Sequence, residues 1–125
     1  HFKRFNDTYG HQQGDIVLKK TAQIIKGNVR NIDIPARYGG EEFAVILPNT
    51  KLAEAVLVAN RLRFIIEKTE IPGQATPLKV TMSFGVAQFD PDRDEGSFDI
   101  IKKTDAALYR AKEEGRNRVI ASEPS

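Results

Sequence analysis

Two adjacent glycines interrupt a strand-like stretch at Tyr38-Gly39-Gly40-Glu41-Glu42-Phe43, and no other feature restricts the folding of this chain as sharply. Glycine accepts the positive φ angles of a tight hairpin turn, so the segment reads as strand, turn, strand, with two carboxylates just beyond the turn. Ile34 to Tyr38 supplies the first strand and Glu42 to Leu47 the second, closed by Pro48-Asn49-Thr50. Side chains alternate along a strand, so Glu41 and Glu42 point to opposite faces and cannot share one task. A hairpin also argues against an all-parallel sheet.

Hydrophobic spacing fills in the rest. Ile16, Val17, Ala22, Ile24, Ile25 and Val29 form an approximate helical stripe, which predicts a helix starting near Gly14 or Asp15, with Asp15 as a candidate N-cap. A second helix is expected through about Lys68 on Ala53, Val56, Leu57, Ala59, Leu62, Ile65 and Ile66, with Pro72-Gly73 at its exit. Leu78, Val80, Met82, Phe84 and Val86 alternate, so Leu78 to Phe89 reads as a strand, with Gly85 at a bulge or a close approach. Asp90 to Gly96 reads as a mobile acidic loop. Ser97 is placed to cap a last helix that turns Phe98, Ile101, Ala107, Leu108 and Ala111 inward and stops at Gly115. Val119-Ile120-Ala121 is a short closing strand. Helices alternate with strands, which leaves α/β or α+β around a sheet.

At 125 residues, 40% hydrophobic and 29% charged, the sequence fits one soluble globular domain. Nineteen basic against 17 acidic residues leave a net charge of only +2, which does not favour a nucleic acid polymer as partner. Without cysteine there is neither a disulfide nor a thiolate metal site. No apolar run approaches the roughly 20 residues of a membrane span, so no membrane contact is expected and the cytoplasm is the expected compartment. The chain opens on His1-Phe2-Lys3, without an initiator Met or a signal-like start, and reads as part of something longer.

Three constellations carry candidate chemistry. Adjacent glutamates are by default solvated surface charge, yet an acid just past a glycine turn also suits Mg²⁺, which takes one or two carboxylates plus phosphate oxygens. Between Phe2 and Asp15, Lys3, Asn6, Asp7, His11 and two glycines precede a helix. Backbone N–H groups there, with Lys3, could hold a phosphate, and Asn and Asp carry the donors and acceptors that a guanine edge needs. The same residues could equally satisfy local backbone donors as a capped loop. His11 has no partner at metal-ligand spacing. Lys112 and Arg116, four apart near the end of the last helix, stand where cations offset the helix dipole, and could also reach a phosphate.

Gly39-Gly40-Glu41-Glu42-Phe43 resembles the signature of the GGDEF domain family of diguanylate cyclases, in its Glu-Glu form. The resemblance extends through Phe2-Lys3, Asn6-Asp7, Gly10-His11, Gly14-Asp15, Ser83-Phe84-Gly85-Val86-Ala87, Asp105-Ala107-Leu108-Tyr109-Ala111-Lys112 and Gly115-Arg116-Asn117, in the family's order and spacing. It implies an α+β fold like nucleotidyl cyclases and polymerase palms, a central mixed sheet flanked by helices. The implied activity is condensation of two GTP to cyclic di-GMP, a bacterial signal, with release of two pyrophosphates. One GTP would sit on each half of a homodimer. By position, Glu41 would hold Mg²⁺, or Mn²⁺ in its place, and help activate the attacking hydroxyl, with Glu42 as the second acid. Asn6 and Asp15 would read guanine, Gly39 and Gly40 would leave room for substrate, and Phe2, Lys3, Lys112 and Arg116 would hold the triphosphate.

Arg30-Asn31-Ile32-Asp33 stands five residues ahead of the glycine pair, where the family carries its product-inhibition site. The resemblance assigns Arg30 and Asp33 to bound cyclic di-GMP, with Arg61 in support. For an arbitrary Arg-x-x-Asp a surface ion pair is the default. The family also carries a further metal-binding Asp on a strand just ahead of the position of His1, preceded by a helix. Neither falls within the sequence, so residues 1–125 are expected to be an N-terminally incomplete domain that is inactive by itself. Two alternatives remain: a receptor that binds cyclic di-GMP or GTP without catalysis, and a dimerisation module with no nucleotide affinity.

Overall fold

A computed structural model describes residues 11–39, 42–73 and 77–122. Its elements run α1 (His11–Gly27), β1 (Ile34–Gly39), β2 (Glu42–Ile46), α2 (Leu52–Lys68), β3 (Phe84–Val86), α3 (Ser97–Glu113) and β4 (Val119–Ala121). They fall into two compact units. One comprises His1–Pro48 with Lys68–Val80, the other Asn49–Glu67 with Thr81–Ser125. Each contains one described two-stranded sheet, antiparallel β1–β2 in the first and parallel β3–β4 in the second. The class is α+β.

In the first unit α1 is already helical at His11, four residues ahead of Asp15. Asp15 therefore lies inside the helix and caps nothing. The helix stops at Gly27, short of Val29. Its inward face is Gln13, Val17, Leu18, Thr21, Ile24 and Ile25, while Ile16 and Ala22 point outward. Two polar residues on that face hid it from a purely apolar count. Both are satisfied: Gln13 Nε2 donates to the Pro72 carbonyl at 2.7 Å, and Thr21 Oγ1 to the Val17 carbonyl at 2.8 Å. Ile71 is fully buried and exchanges two backbone hydrogen bonds with Leu78, at 2.8 and 2.7 Å.

In the second unit α2 buries Ala55, Ala59, Leu62 and Ile66, a stripe at spacings of four, three and four. Leu57 is 70% exposed and Ala53 also faces solvent, which corrects the expected inward set. The Leu52 N–H is satisfied by Gln88 Oε1 at 2.9 Å. Ile66 is only 1% exposed, so its truncation to Ala should cost about 2–5 kcal/mol.

The strand expected over Leu78 to Phe89 contracts to Phe84–Val86. Alternation alone does not make a strand; a ladder partner does, and among the described residues only Val119–Ala121 provides one here. Gly85 is the close-approach point that its sequence context suggested. A Cβ on Gly85 would collide with the Thr104 carbonyl and the Leu108 amide of α3 and lie 2.9 Å from Leu108 Cα. Ala107 and Ala111 on α3 are buried at 3% and 0% exposure. Small residues thus let this helix lie directly on the strand.

Phe98 and Ile101 were expected inward but are 75% and 40% exposed. Ser97 is the first residue of α3 rather than its cap, and Gly96 in the cap position makes no side-chain hydrogen bond. Asp99 in the first turn accepts from the Glu95 N–H, just ahead of the helix, at 2.7 Å. The acidic loop ahead of it is internally bonded. The Asp90 N–H donates to Asp94 Oδ2 at 2.7 Å, and the Asp94 and Arg93 N–H groups donate to the Asp90 carbonyl at 2.8 and 3.1 Å. Lys103 closes on Asp94 at 2.8 Å and holds that carboxyl below its ordinary range. Among the described residues no helix is long and apolar enough to cross a membrane.

Candidate functional site

β1 and β2 pair Ile34 with Ile46, Pro35 with Val45, Ala36 with Ala44 and Arg37 with Phe43; the register then slips so that Gly39 faces Glu42. One extra residue, Tyr38, sits on β1 as a bulge. Phe43 and Val45 turn one face of β2 inward, while Glu42, Ala44 and Ile46 are exposed. Glu42 thus presents its carboxylate to solvent at the start of a rigid strand, with no hydrogen bond or ion pair among the described residues. Gly40 and Glu41, the other half of the motif, lie outside the described residues, as do Phe2, Lys3 and Asn6.

Asp15 is exposed on α1 and lines an open groove of about 380 Å³ within the first unit. Leu18, Ile25, Pro35 and Phe43 make its apolar walls, and Lys19, Lys26 and Arg37 add cations to its rim. An open, largely apolar groove with the Asp15 carboxylate in its lining suits a ring that carries N–H donors on its edge.

Arg30 and Asp33 come together closely. Arg30 Nη2 donates to Asp33 Oδ1 at 2.7 Å, Nε donates to both carboxylate oxygens at 3.1 Å, and the Arg30 N–H donates to Oδ2 at 2.7 Å. The Asp33 N–H returns a bond to the Arg30 carbonyl at 3.0 Å, and Nη2 also reaches the Pro48 carbonyl at 3.0 Å. The Asp33 side chain is 2% exposed against 51% for Arg30. The guanidinium hydrogen bonds hold the Asp33 carboxyl below its ordinary range, and burial opposes them only in part. In this structure the Asp33 carboxylate is engaged by its own arginine. Arg61 is exposed on α2 in the other unit.

Lys112 lies in the last turn of α3 and Arg116 just beyond the helix, as the expected stop at Gly115 implies. Gly115 ends α3 at φ 125°, and the Arg116 N–H closes back on the Ala111 carbonyl at 2.9 Å, a Schellman-type stop. Arg116 and Asn117 follow at φ 62° and 47°. A non-glycine residue in the left-handed region costs on the order of 1–2 kcal/mol, so something must hold Arg116 there. Its Nη1 donates to the Lys112 carbonyl at 3.2 Å.

Asn117 is the residue that reading for chemistry overlooked. Its N–H donates to Ser83 Oγ at 3.2 Å, its Oδ1 accepts from Arg63 Nη1 at 3.2 Å, and its Nδ2 donates to Glu67 Oε2. The only signal in the sequence was its place beside Arg116 in a family motif.

Oxygen donors, not nitrogen or sulfur, are what the hairpin offers a metal. The exposed, strand-held Glu42 carboxylate fits a hard dication bound mainly by phosphate oxygens, and no cluster of three His, Cys, Asp or Glu side chains occurs among the described residues. Such an ion needs no all-protein cage.

The family model described as "Diguanylate cyclase, GGDEF domain" matches residues 1–118. Diguanylate cyclase A of Treponema denticola is 48% identical over 121 residues, 97% of this chain and 32% of that protein. The response regulator PleD of Caulobacter vibrioides is 42% identical over 121 residues, 95% of this chain and 26% of its own length. The chain therefore spans about a third or less of such curated relatives. Among solved structures, the GGDEF domain of DgcB from Caulobacter crescentus in complex with c-di-GMP superposes with TM-score 0.90 at 37% identity, covering 99% of this chain and 73% of that one. The active GGEEF domain of a diguanylate cyclase from Vibrio cholerae gives 0.88 at 32%, covering 100% and 78%.

Proposed function

The chain belongs to the GGDEF family, and on that premise we propose that the protein carrying it condenses two GTP into cyclic di-GMP with release of two pyrophosphates. The observation that carries this reading is the glycine–glutamate motif itself, set at a bulged hairpin whose last acid is exposed on a rigid strand. In each half-reaction a 3′-hydroxyl of one GTP attacks the α-phosphorus of the other. The new O–P bond forms as the bond to pyrophosphate breaks, and the hydroxyl proton passes to a base. Two domains facing each other as a homodimer bring the two nucleotides together, and fixed placement supplies much of the rate.

Glu41 is the proposed metal ligand and the candidate to take that proton, with Glu42 beside it as the second acid. Bound Mg²⁺, or Mn²⁺, would offset charge on the phosphates. Asn6 and Asp15 accept and donate at the guanine edge, and Gly39 and Gly40 leave space for the nucleotide. Phe2 and Lys3, with Lys112 and Arg116, hold the triphosphate. Product returns to Arg30 and Asp33, with Arg61 in support, and inhibits.

GTP turnover by the protein that carries this chain tests the proposal. Wild type is expected to form cyclic di-GMP with Mg²⁺, and Glu41→Ala to lose about 10²–10³-fold in rate, the size of removing one charge-stabilising group. Product from Glu41→Ala at the wild-type rate would overturn it. Cyclic di-GMP binding without synthesis in wild type would instead identify a receptor.

A further inference from the structure

Two segments of the family pattern, Ser83-Phe84-Gly85 and Gly115-Arg116-Asn117, hold residues with no chemistry of their own in the reaction proposed above. They meet in space. We propose that Asn117 is a positioning residue that fixes Arg116 for the triphosphate, and this inference rests on the phosphate role given to Arg116 above.

The argument starts from the backbone. Gly115, Arg116 and Asn117 have consecutive positive φ angles of 125°, 62° and 47°, and only the first is a glycine. Asparagine tolerates the left-handed region better than most residues; arginine does not. The turn is held from both sides of Arg116. On its N-terminal side the Arg116 N–H is bound to the Ala111 carbonyl at 2.9 Å. On its C-terminal side Asn117 uses three separate groups, each on a different partner. Its backbone N–H goes to Ser83 just before β3, its side-chain oxygen to Arg63, and its side-chain nitrogen to Glu67 on α2. Next in the chain, the Arg118 carbonyl accepts from the Phe84 N–H at 2.9 Å, so the segment enters the β3–β4 ladder at once.

Arg63 and Glu67 are one helical turn apart and of opposite charge, and the asparagine amide fits between them as acceptor to one and donor to the other. Neither Asp nor Leu, though near in size, can do both. Aspartate would set a second carboxylate against Glu67, and leucine would leave both charged groups without this partner. The amide therefore locks the rotation of the turn, and with it the starting point of the Arg116 side chain. A guanidinium delivered by a rigid turn loses less freedom on meeting a phosphate than one on a loose tail.

Glycine at position 117 separates this role from mere tolerance of positive φ, because it keeps the backbone freedom and removes only the amide. In the protein that carries this chain, Asn117→Gly is expected to raise KM for GTP about ten-fold with kcat changed less than three-fold, the size of one charge-assisted contact. Arg116→Ala should give a KM change of similar size. The double variant should then be no worse than Arg116→Ala alone, since a positioning residue has nothing left to position. Full additivity of the two KM effects, with each single variant as stable to denaturant as wild type, would overturn the inference while leaving the phosphate role of Arg116 intact. No KM change in Arg116→Ala would overturn both. Unfolding of Asn117→Gly is answered by Asn117→Asp and Asn117→Asp/Glu67→Gln. The second substitution returns an amide donor to the pair, and is expected to recover KM at least three-fold; failure to recover would also overturn the inference.

Discussion

The Arg30–Asp33 pair and the junction at Asn117 are both partly buried clusters of charge and hydrogen bonds, yet they are assembled over very different lengths of chain. The first closes over three residues, with one further bond to Pro48. The second gathers partners 34, 50 and 54 residues away. The local pair is a complete motif that forms wherever its short segment turns. The distant junction exists only once α2, β3 and the turn after α3 have all arrived. Changes to the first should therefore act on a ligand or a loop, and changes to the second on the unit as a whole.

Gly85→Ala is the most severe test of that contrast. The added methyl has only backbone to displace, so a loss of about 3 kcal/mol or a failure to fold is expected in denaturant titration. A stability within about 0.5 kcal/mol of wild type, the range of an ordinary surface change, would mean that the β3–α3 contact has slack and the contrast is false. Arg30→Ala should act in the opposite sense, on regulation. Steady-state cyclic di-GMP is expected to rise several-fold as feedback is removed, and unchanged inhibition would refute the product-site assignment. Added salt should weaken product binding there, because Arg30 is half exposed.

Acidity sharpens the same comparison. The folded Asp33 carboxyl is held below its ordinary value, so the stability this pair contributes is complete above the unfolded value of about 4 and is lost as pH falls through the lower, folded one. The thermal midpoint of wild type should fall toward that of Asp33→Asn as pH drops from about 5 to below 3. A gap that stays constant over that range would show that the charge contributes nothing. Smallest of all is the Arg110–Glu114 pair, spaced four apart with both side chains nearly half exposed. Glu114→Gln should change stability by about 0.3–0.5 kcal/mol or less.

What the sequence made readable follows the same division. The hairpin limits, the span of α2, the contact at Gly85 and the stop at Gly115 each depend on a residue whose backbone or periodicity speaks for itself. Ser97 has the residue type of a cap but lies inside α3, because a cap depends on how the chain enters the helix and not on residue type alone. Leu57 and Phe98 were placed inside because apolar residues attract that assignment, while the inward face of α1 uses Gln13 and Thr21. The acidic stretch after β3 looked mobile, since nothing local announces Lys103 as its partner. At the candidate site, Arg30-x-x-Asp33 was visible as a spacing and the amide of Asn117 was not. Hydrogen bonds to residues 50 positions away leave no periodic trace.

The bulge at Tyr38 bears on how such hairpins can diverge. With Arg37 opposite Phe43 and Gly39 opposite Glu42, the strand carries one residue more than its partner. Deleting Tyr38 would leave Arg37 opposite Phe43 and Gly39 opposite Glu42, so Ile34 and Ala36 would keep their side of the sheet. Only the local bend and twist that the extra residue adds beside the turn would go. The bulge is therefore a point where the hairpin can lose one residue without resetting its frame, whereas a one-residue deletion elsewhere in β1 would turn the side chains beyond it to the other face.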